Sequence, residues 1–146
     1  MILLDTSGLL AALDASERHH RAAAAILREA GEPRLLSPFV LAEVDYLLAR
    51  HVSARIARSF LAEVAAGAYT LEPFGQGDVA RAGEVLDQYA DLGLGVADAS
   101  IVVLAERHGT TDVLTLDERH FRVITTRADR PFRLLPADAA SGTGSS

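Results

Sequence analysis

The sequence predicts an α/β domain in which a mostly parallel sheet carries helices on both faces. Three observations make that prediction. Short apolar runs at residues 2–4, 34–37, 69–72 and 113–116 alternate with longer segments of helical periodicity. The chain has 146 residues, 49% of them hydrophobic, which is enough to bury one real core without staples. No internal repeat and no interdomain linker interrupts the alternation.

Taken in order, residues 2–4 read as a first strand, and Asp5-Thr6-Ser7 follow it. Gly8-Leu9-Leu10-Ala11-Ala12-Leu13 is helical in pattern, with a hydroxyl of Thr6 or Ser7 expected as N-cap. Asp5 then lies just beyond the strand's carboxyl end, where open α/β sheets bind ligands. Residues 15–30 read as an alanine-rich helix ended by Gly31, with Arg18, His19, His20 and Arg21 on its early turns. Adjacent histidines of this kind are assigned to solvated surface. Residues 34–37 form a second strand, and Ser37-Pro38 starts a helix with proline at its first position. Val40, Leu41, Val44, Leu47 and Leu48 make its apolar stripe. Glu43 lies at the edge of that stripe and Asp45 on the other flank, so Glu43 is the better candidate for an inward role. Residues 52–66, capped by Ser53 and stopped by Gly67, form a further helix with Arg55 and Arg58 on its polar side. These two helices pair as a hairpin.

Residues 69–72, closed by Pro73, are a third strand, and residues 78–91 an amphipathic helix with solvated acids. Gly93 and Gly95 mark a loop before a helix that begins near Ala97. At about 100° per residue, Asp98 shares a face with Ile101, Val102 and Ala105, the face expected to be buried. A carboxylate there needs a partner. The helix ends at His108-Gly109 with a basic last turn and a glycine C-cap. Residues 113–116 form a strand that delivers Asp117 at its carboxyl end, and residues 123–125 and 132–135 are shorter strand candidates. Residues 1–136 are read as one domain and residues 137–146 as a small, polar, disordered tail.

Composition excludes several chemistries. There is no cysteine, so disulfides, cysteine-ligated zinc and thiol catalysis are absent. All fourteen basic residues are arginine, which removes the P-loop lysine and Schiff-base chemistry. The first residues lack a basic leader and meet an acid after three apolar positions, so neither a signal peptide nor a membrane span fits, and a cytoplasmic protein is expected. The net charge of -6 argues at first against nucleic acid. Residues 119–133 nevertheless carry Arg119, Arg122, Arg127, Arg130 and Arg133 against Asp129 alone, a local strip that can contact phosphates.

Asp5, Glu43, Asp98 and Asp117 are thus four carboxylates at element ends or on inward faces, without a lysine to neutralise them. Hard oxygen ligands gathered in this way suit Mg²⁺ or Mn²⁺, and such ions activate water in phosphodiester hydrolysis. Each acid also has a structural explanation. Asp98 can favour a helix dipole, Asp5 can cap the first helix, Asp117 can begin a turn, and Glu43 can pair with Arg50 or another arginine.

Asp5-Thr6-Ser7 after a strand, Glu43 on the helix from Pro38, Asp98 opening a helix and Thr115-Leu116-Asp117 followed by Phe121 closely resemble the PIN domain. The particular likeness is to the small bacterial VapC-type toxins of toxin–antitoxin modules, and it leaves out only residues 137–146. The resemblance implies a three-layer α/β/α fold and a Mg²⁺-dependent endoribonuclease. Asp5, Glu43, Asp98 and Asp117 would be its metal-binding and catalytic acids, with Ser7 and Thr115 as supporting hydroxyls. It also implies an RNA substrate, which Arg119 and Arg122 would contact, a homodimer, and a cognate antitoxin that inserts into the active site.

Other readings stay open on the residues alone. A catalytically silent RNA- or protein-binding module on the same fold is disfavoured by four intact acids. A phosphoaspartyl protein using Asp5 lacks its lysine and the second acid of the dehalogenase pattern. A serine hydrolase would need a Gly-x-Ser-x-Gly elbow, which does not occur. A structure-specific DNA nuclease would need strand-threading elements for which the chain has little room.

Overall fold

The computed structural model describes residues 1–142. Five strands, β1 (Ile2–Leu4), β2 (Arg34–Leu36), β3 (Thr70–Leu71), β4 (Asp112–Leu114) and β5 (Arg133–Leu135), form one sheet in the order β3-β2-β1-β4-β5. Every pairing is parallel. Seven helices accompany them among the described residues: α1 (Thr6–Leu13), α2 (His20–Glu29), α3 (Pro38–His51), α4 (Ala54–Ala65), α5 (Gln76–Gln88), α6 (Val96–His108) and α7 (Glu118–Phe121). Helices cover both faces of the sheet, giving three layers. The strands accordingly read as continuous apolar runs, and Leu3, Leu4, Leu35, Leu36, Val113, Leu114 and Leu134 are all buried.

Strand order decides where a site can form. The chain starts in the middle of the sheet, adds β2 and β3 to one side of β1, and later adds β4 and β5 to the other. The direction of winding therefore reverses between β1 and β4, and the crevice beyond their carboxyl ends is where an open α/β sheet binds ligands. Pairing runs past the strand ends there: the Asp5 amide donates to the Leu114 carbonyl at 3.0 Å.

Two contacts hold the helices over that crevice. Gly8 lets α1 lie directly on β4, since a Cβ at this position would stand 2.3 Å from the Leu114 carbonyl oxygen. Ser37 caps α3 by accepting from the Phe39 amide, and its hydroxyl meets the buried Ser100 hydroxyl at 2.6 Å. Ser100 in turn donates to the Ala97 carbonyl at 2.6 Å, so the start of α3 is fastened to the first turn of α6. Val40, Val44 and Leu48 supply the buried stripe of α3, while Leu41 and Leu47 are only half-buried.

Several expected boundaries differ, each for a local reason. The N-cap position of α1 is Asp5, and neither Thr6 nor Ser7 caps it, because both belong to the helix itself. The helix expected over residues 15–30 shortens to α2, because Asp14 captures the amide and hydroxyl of Ser16 and holds a turn there. It stops at Ala30 rather than at Gly31. The strand ending at Leu116 ends at Leu114 instead, and Asp117 becomes the N-cap of α7, a helix the sequence reading did not anticipate. Residues 123–125 contribute only one antiparallel bridge, Thr125 to Pro131. Residues 137–142, expected as the start of a disordered tail, form a 3₁₀ helix whose Asp138 accepts from the Leu134 amide. The expectation for residues 143–146 lies outside the described residues.

Candidate metal centre

Asp5, Glu43, Asp98 and Asp117 arrive from four separate elements and line one open cavity of about 240 Å³, together with Thr6, Ser7, Leu10 and Leu47. Among the described residues, no arginine or histidine lines it. The four differ in how they are held.

Asp5 is buried, at 4% exposure, immediately after β1. Its Oδ2 accepts from the Thr115 hydroxyl at 2.6 Å and from the Ser7 hydroxyl at 3.0 Å. The two hydroxyls are themselves linked. Ser7 Oγ and Thr115 Oγ1 are 3.2 Å apart, and they accept the backbone N–H of Leu116 and of Asp117 respectively, both at 2.9 Å. Burial pushes the Asp5 carboxyl up from 3.8 to about 6, and the negative charge of Asp98 adds to that rise. The hydroxyls of Thr115 and Ser7 and the Thr6 amide pull the other way without cancelling it.

Asp98 sits three residues inside the N-terminus of α6, where its Oδ2 accepts the Gly95 amide at 3.0 Å. A buried helical face is not what sets its position. Residues 99–105 of α6 are buried on nearly every side, so the face Asp98 shares with Ile101 and Val102 is not distinctive. What brings this carboxylate to the cavity is its place in the first turn. Glu43 is exposed on the cavity side of α3, one turn before Leu47, and the proposed pairing with Arg50 does not form. Asp117 caps α7 by accepting the His120 amide at Oδ1, while Oδ2 lies 2.7 Å from His120 Nδ1.

The arginine strip does not stay together. Arg122 is clamped by Asp138, at 2.7 and 2.8 Å, and by Glu118 at 2.8 Å. Arg133 pairs with Asp112, and Arg127 with Glu84. Arg127 and Arg130 line a different and larger cavity of about 540 Å³. The acid in that cavity, Glu106, is already neutralised by a two-pronged contact with Arg81, so it is a poor place for a cation despite its size. Arg119 is exposed and makes no ion pair among the described residues.

The donor set of the acid cavity is all oxygen, of the kind that suits a hard divalent ion. It is not a ready-made cage, since among the described residues no group of three or more His, Cys, Asp or Glu side chains is arranged to hold a metal ion. That is compatible with Mg²⁺, which keeps several of its waters and takes one or two carboxylates directly. The raised pKa of Asp5 comes first from its burial and then from the charge of Asp98 beside it, so this carboxylate is ionised at a cost that a bound cation would offset.

An open parallel α/β domain with carboxylates lining the crevice at its switch point defines a class, and the sequence comparison assigns the member. The PIN domain matches residues 2–125, and the chain belongs to that family. It is 37% identical over 135 residues to Ribonuclease VapC26 of Mycobacterium tuberculosis (strain ATCC 25618 / H37Rv), an alignment covering 92% of this chain and 100% of that one. Three solved structures share the fold. VapC20 of Mycobacterium tuberculosis, described as a sarcin-ricin loop cleaving toxin, superposes with a TM-score of 0.75 at 22% identity, over 80% of this chain and 90% of its own. VapBC2 of Rickettsia felis, bound to a DNA fragment from their promoter, gives 0.64 at 18% identity, over 92% and 98%. FitAcB of Neisseria gonorrhoeae gives 0.57 at 23% identity, over 81% and 88%. No helix among the described residues is long and apolar enough to cross a membrane.

His120, Gly8 and the Gly95–Asp98 cap were not recognised from the sequence. The first had a signal, an acid and a histidine three residues apart at a helix start. The second had none, because the strand it touches lies about a hundred positions away.

Proposed function

We propose that the chain is a metal-dependent endoribonuclease that acts as the toxin of a toxin–antitoxin module. One observation carries this reading: four carboxylates from four elements line one cavity at the switch point, with no cationic side chain among its described lining residues. The name of the 37%-identical relative, a ribonuclease, supports the reaction class.

Asp5, Glu43, Asp98 and Asp117 would hold Mg²⁺, or Mn²⁺ in its place. Bound there, the ion would lower the pKa of a water and stabilise the leaving oxygen of the phosphodiester. The chain's own residues do the rest. Ser7 and Thr115 keep Asp5 in one orientation, and burial of Asp5 strengthens its preference for a cationic partner. Arg119, which makes no ion pair among the described residues, contacts phosphate on the approaching RNA. Leu10 and Leu47 supply the apolar part of the cavity lining. The same reading includes a homodimer and a cognate antitoxin whose arginine would bridge two of these acids.

The test is incubation of the purified protein with total RNA, with and without Mg²⁺, beside an Asp98→Asn control. Cleavage should require the metal and disappear in the control. Undiminished cleavage in excess EDTA would overturn the proposal.

A further inference from the structure

Both oxygens of Asp117 are engaged by a single residue. The backbone N–H of His120 donates to Oδ1 at 3.0 Å, and the imidazole Nδ1 lies 2.7 Å from Oδ2. A carboxylate only accepts, so Nδ1 carries the proton in this contact. The two side chains are 19% and 26% exposed, so the pair is largely withdrawn from water. Among the acids of the cavity this arrangement is particular to Asp117. Asp5 is held by the hydroxyls of Ser7 and Thr115, Asp98 by the Gly95 amide, and the Glu43 side chain has no hydrogen bond among the described residues.

Asp117 stands at the start of a short element. It follows β4 by three residues and heads a helix of only four. Without the imidazole, one amide would hold one oxygen and the carboxylate plane could turn about χ2. With it, the carboxylate is fixed at both oxygens from the α7 side, and the remaining lone pairs serve the cavity that Asp117 lines.

We propose that His120 is a positioning residue: its Nδ1–H fixes the plane of the Asp117 carboxylate so that this acid meets a hydrated divalent cation in a single orientation. This rests on the metal-site reading above. Partners of ligating carboxylates typically govern metal affinity or activity by 10–100-fold, which sets the expected size.

The experiment measures Mn²⁺ binding to the full chain by calorimetry, with kcat and KM for RNA cleavage alongside, for wild type, His120→Ala, His120→Asn and Asp98→Asn. The asparagine amide nitrogen can take the place of Nδ1, so His120→Asn retains the donor without the distal ring nitrogen. The backbone cap survives in both His120 variants, and melting in EDTA checks that they fold. His120→Ala should weaken Mn²⁺ by about tenfold or more and lower kcat more than it changes KM, while His120→Asn recovers most of the metal affinity. Wild-type Mn²⁺ affinity in His120→Ala, with affinity lost in Asp98→Asn, would overturn the positioning role and leave the metal site standing. Equal loss in the alanine and asparagine variants would show that the ring acts otherwise than through Nδ1. Full Mn²⁺ affinity in Asp98→Asn would bring down the metal-site reading and this role with it.

Discussion

The hydroxyl of Thr115 donates to Oδ2 of Asp5 at 2.6 Å, although 110 positions separate the two residues in the chain. The same oxygen of Thr115 accepts the Asp117 amide at 2.9 Å, so one side chain ties the first acid to the backbone of the fourth. Thr115→Ala leaves a buried carboxylate short of a donor and a backbone amide short of an acceptor. The expected cost is about 1–3 kcal/mol of stability for the unsatisfied groups. Metal affinity should fall by about 10-fold or more, because the acid is no longer oriented. Urea denaturation in EDTA and Mn²⁺ calorimetry measure the two effects separately, and Thr115→Ser should recover most of both.

Gly8 is where α1 touches β4. A Cβ there would lie 2.3 Å from the Leu114 carbonyl oxygen and 2.7 Å from the Thr115 amide nitrogen, and backbone cannot swing aside as a flexible side chain can. Gly8→Ala should therefore lift α1 off the sheet and destabilise the fold by about 1–3 kcal/mol or more, despite the better helix propensity of alanine. Because Asp5 and Ser7 flank the contact, metal affinity should drop as well. A Gly8→Ala protein as stable as wild type in urea would show that the contact is not tight in solution.

The crevice was legible in the sequence to the extent that strand ends were. Asp5 follows an apolar triplet and Asp117 follows another, and a parallel α/β reading places both at carboxyl ends. Helical periodicity points to Asp98 by the face it shares with Ile101 and Val102, but α6 is buried on nearly all sides and that face is not distinctive. It lies on the cavity because it occupies the first turn, where Gly95-x-x-Asp98 is a capping pattern readable from the letters alone. The bond from Thr115 to Asp5 was beyond reach, since it depends on β1 and β4 being neighbours, and strand order is a tertiary fact. So was the fate of the arginine strip. Five arginines in fifteen residues look like one surface, yet Arg122, Arg127 and Arg133 turn to separate partners in the 3₁₀ helix of residues 137–142, in α5 and in β4.

That dispersal separates Arg119 from Arg122. Arg119→Ala should remove one phosphate contact and shallow the log-log salt dependence of RNA binding by about one unit, with little change in stability. Arg122→Ala should leave that slope as it is, because its guanidinium is already committed to Asp138 and Glu118. RNA binding across a salt series, measured with the inactive Asp98→Asn background in each case, decides it. An equal change in slope for both variants would mean that Arg122 leaves its carboxylates when RNA arrives.

Asp5 gives the metal-free protein a pH dependence of definite sign. Its carboxyl titrates near 6 in the fold against 3.8 ordinarily, so between those values the native state holds a proton that the unfolded chain has released. Stability in EDTA should therefore decline as pH rises through that window and stay low above it. Asp5→Asn removes the dependence, and at pH 7 the variant should be more stable than wild type by on the order of 2 kcal/mol. Glu106 and Asp138, whose carboxyls are held low by Arg81 and Arg122, act in the opposite sense at more acid pH and are common to both proteins. Urea midpoints at pH 4.5 and 7 for the two proteins give the comparison; parallel curves would contradict the burial of Asp5.

Asp98 both caps a helix and faces Asp5, and the two roles call for different responses to one substitution. Asn retains a side-chain oxygen that can accept the Gly95 amide, so Asp98→Asn keeps the 3.0 Å cap and should lose little on that account. It does remove the charge that helps to push Asp5 up. In EDTA the variant should therefore melt higher than wild type, by the equivalent of about 1 kcal/mol, because a like-charge repulsion has gone. Millimolar Mn²⁺ should raise the melting temperature of wild type, since a ligand bound only by the native state stabilises it by mass action. Asp98→Asn should lose most of that rise, and with it RNA cleavage, so that stability and activity move in opposite directions. Four melting curves contain the answer. A variant that melts lower than wild type in EDTA yet shows the full response to Mn²⁺ would make Asp98 a helix cap alone and bring down the four-acid metal-site reading.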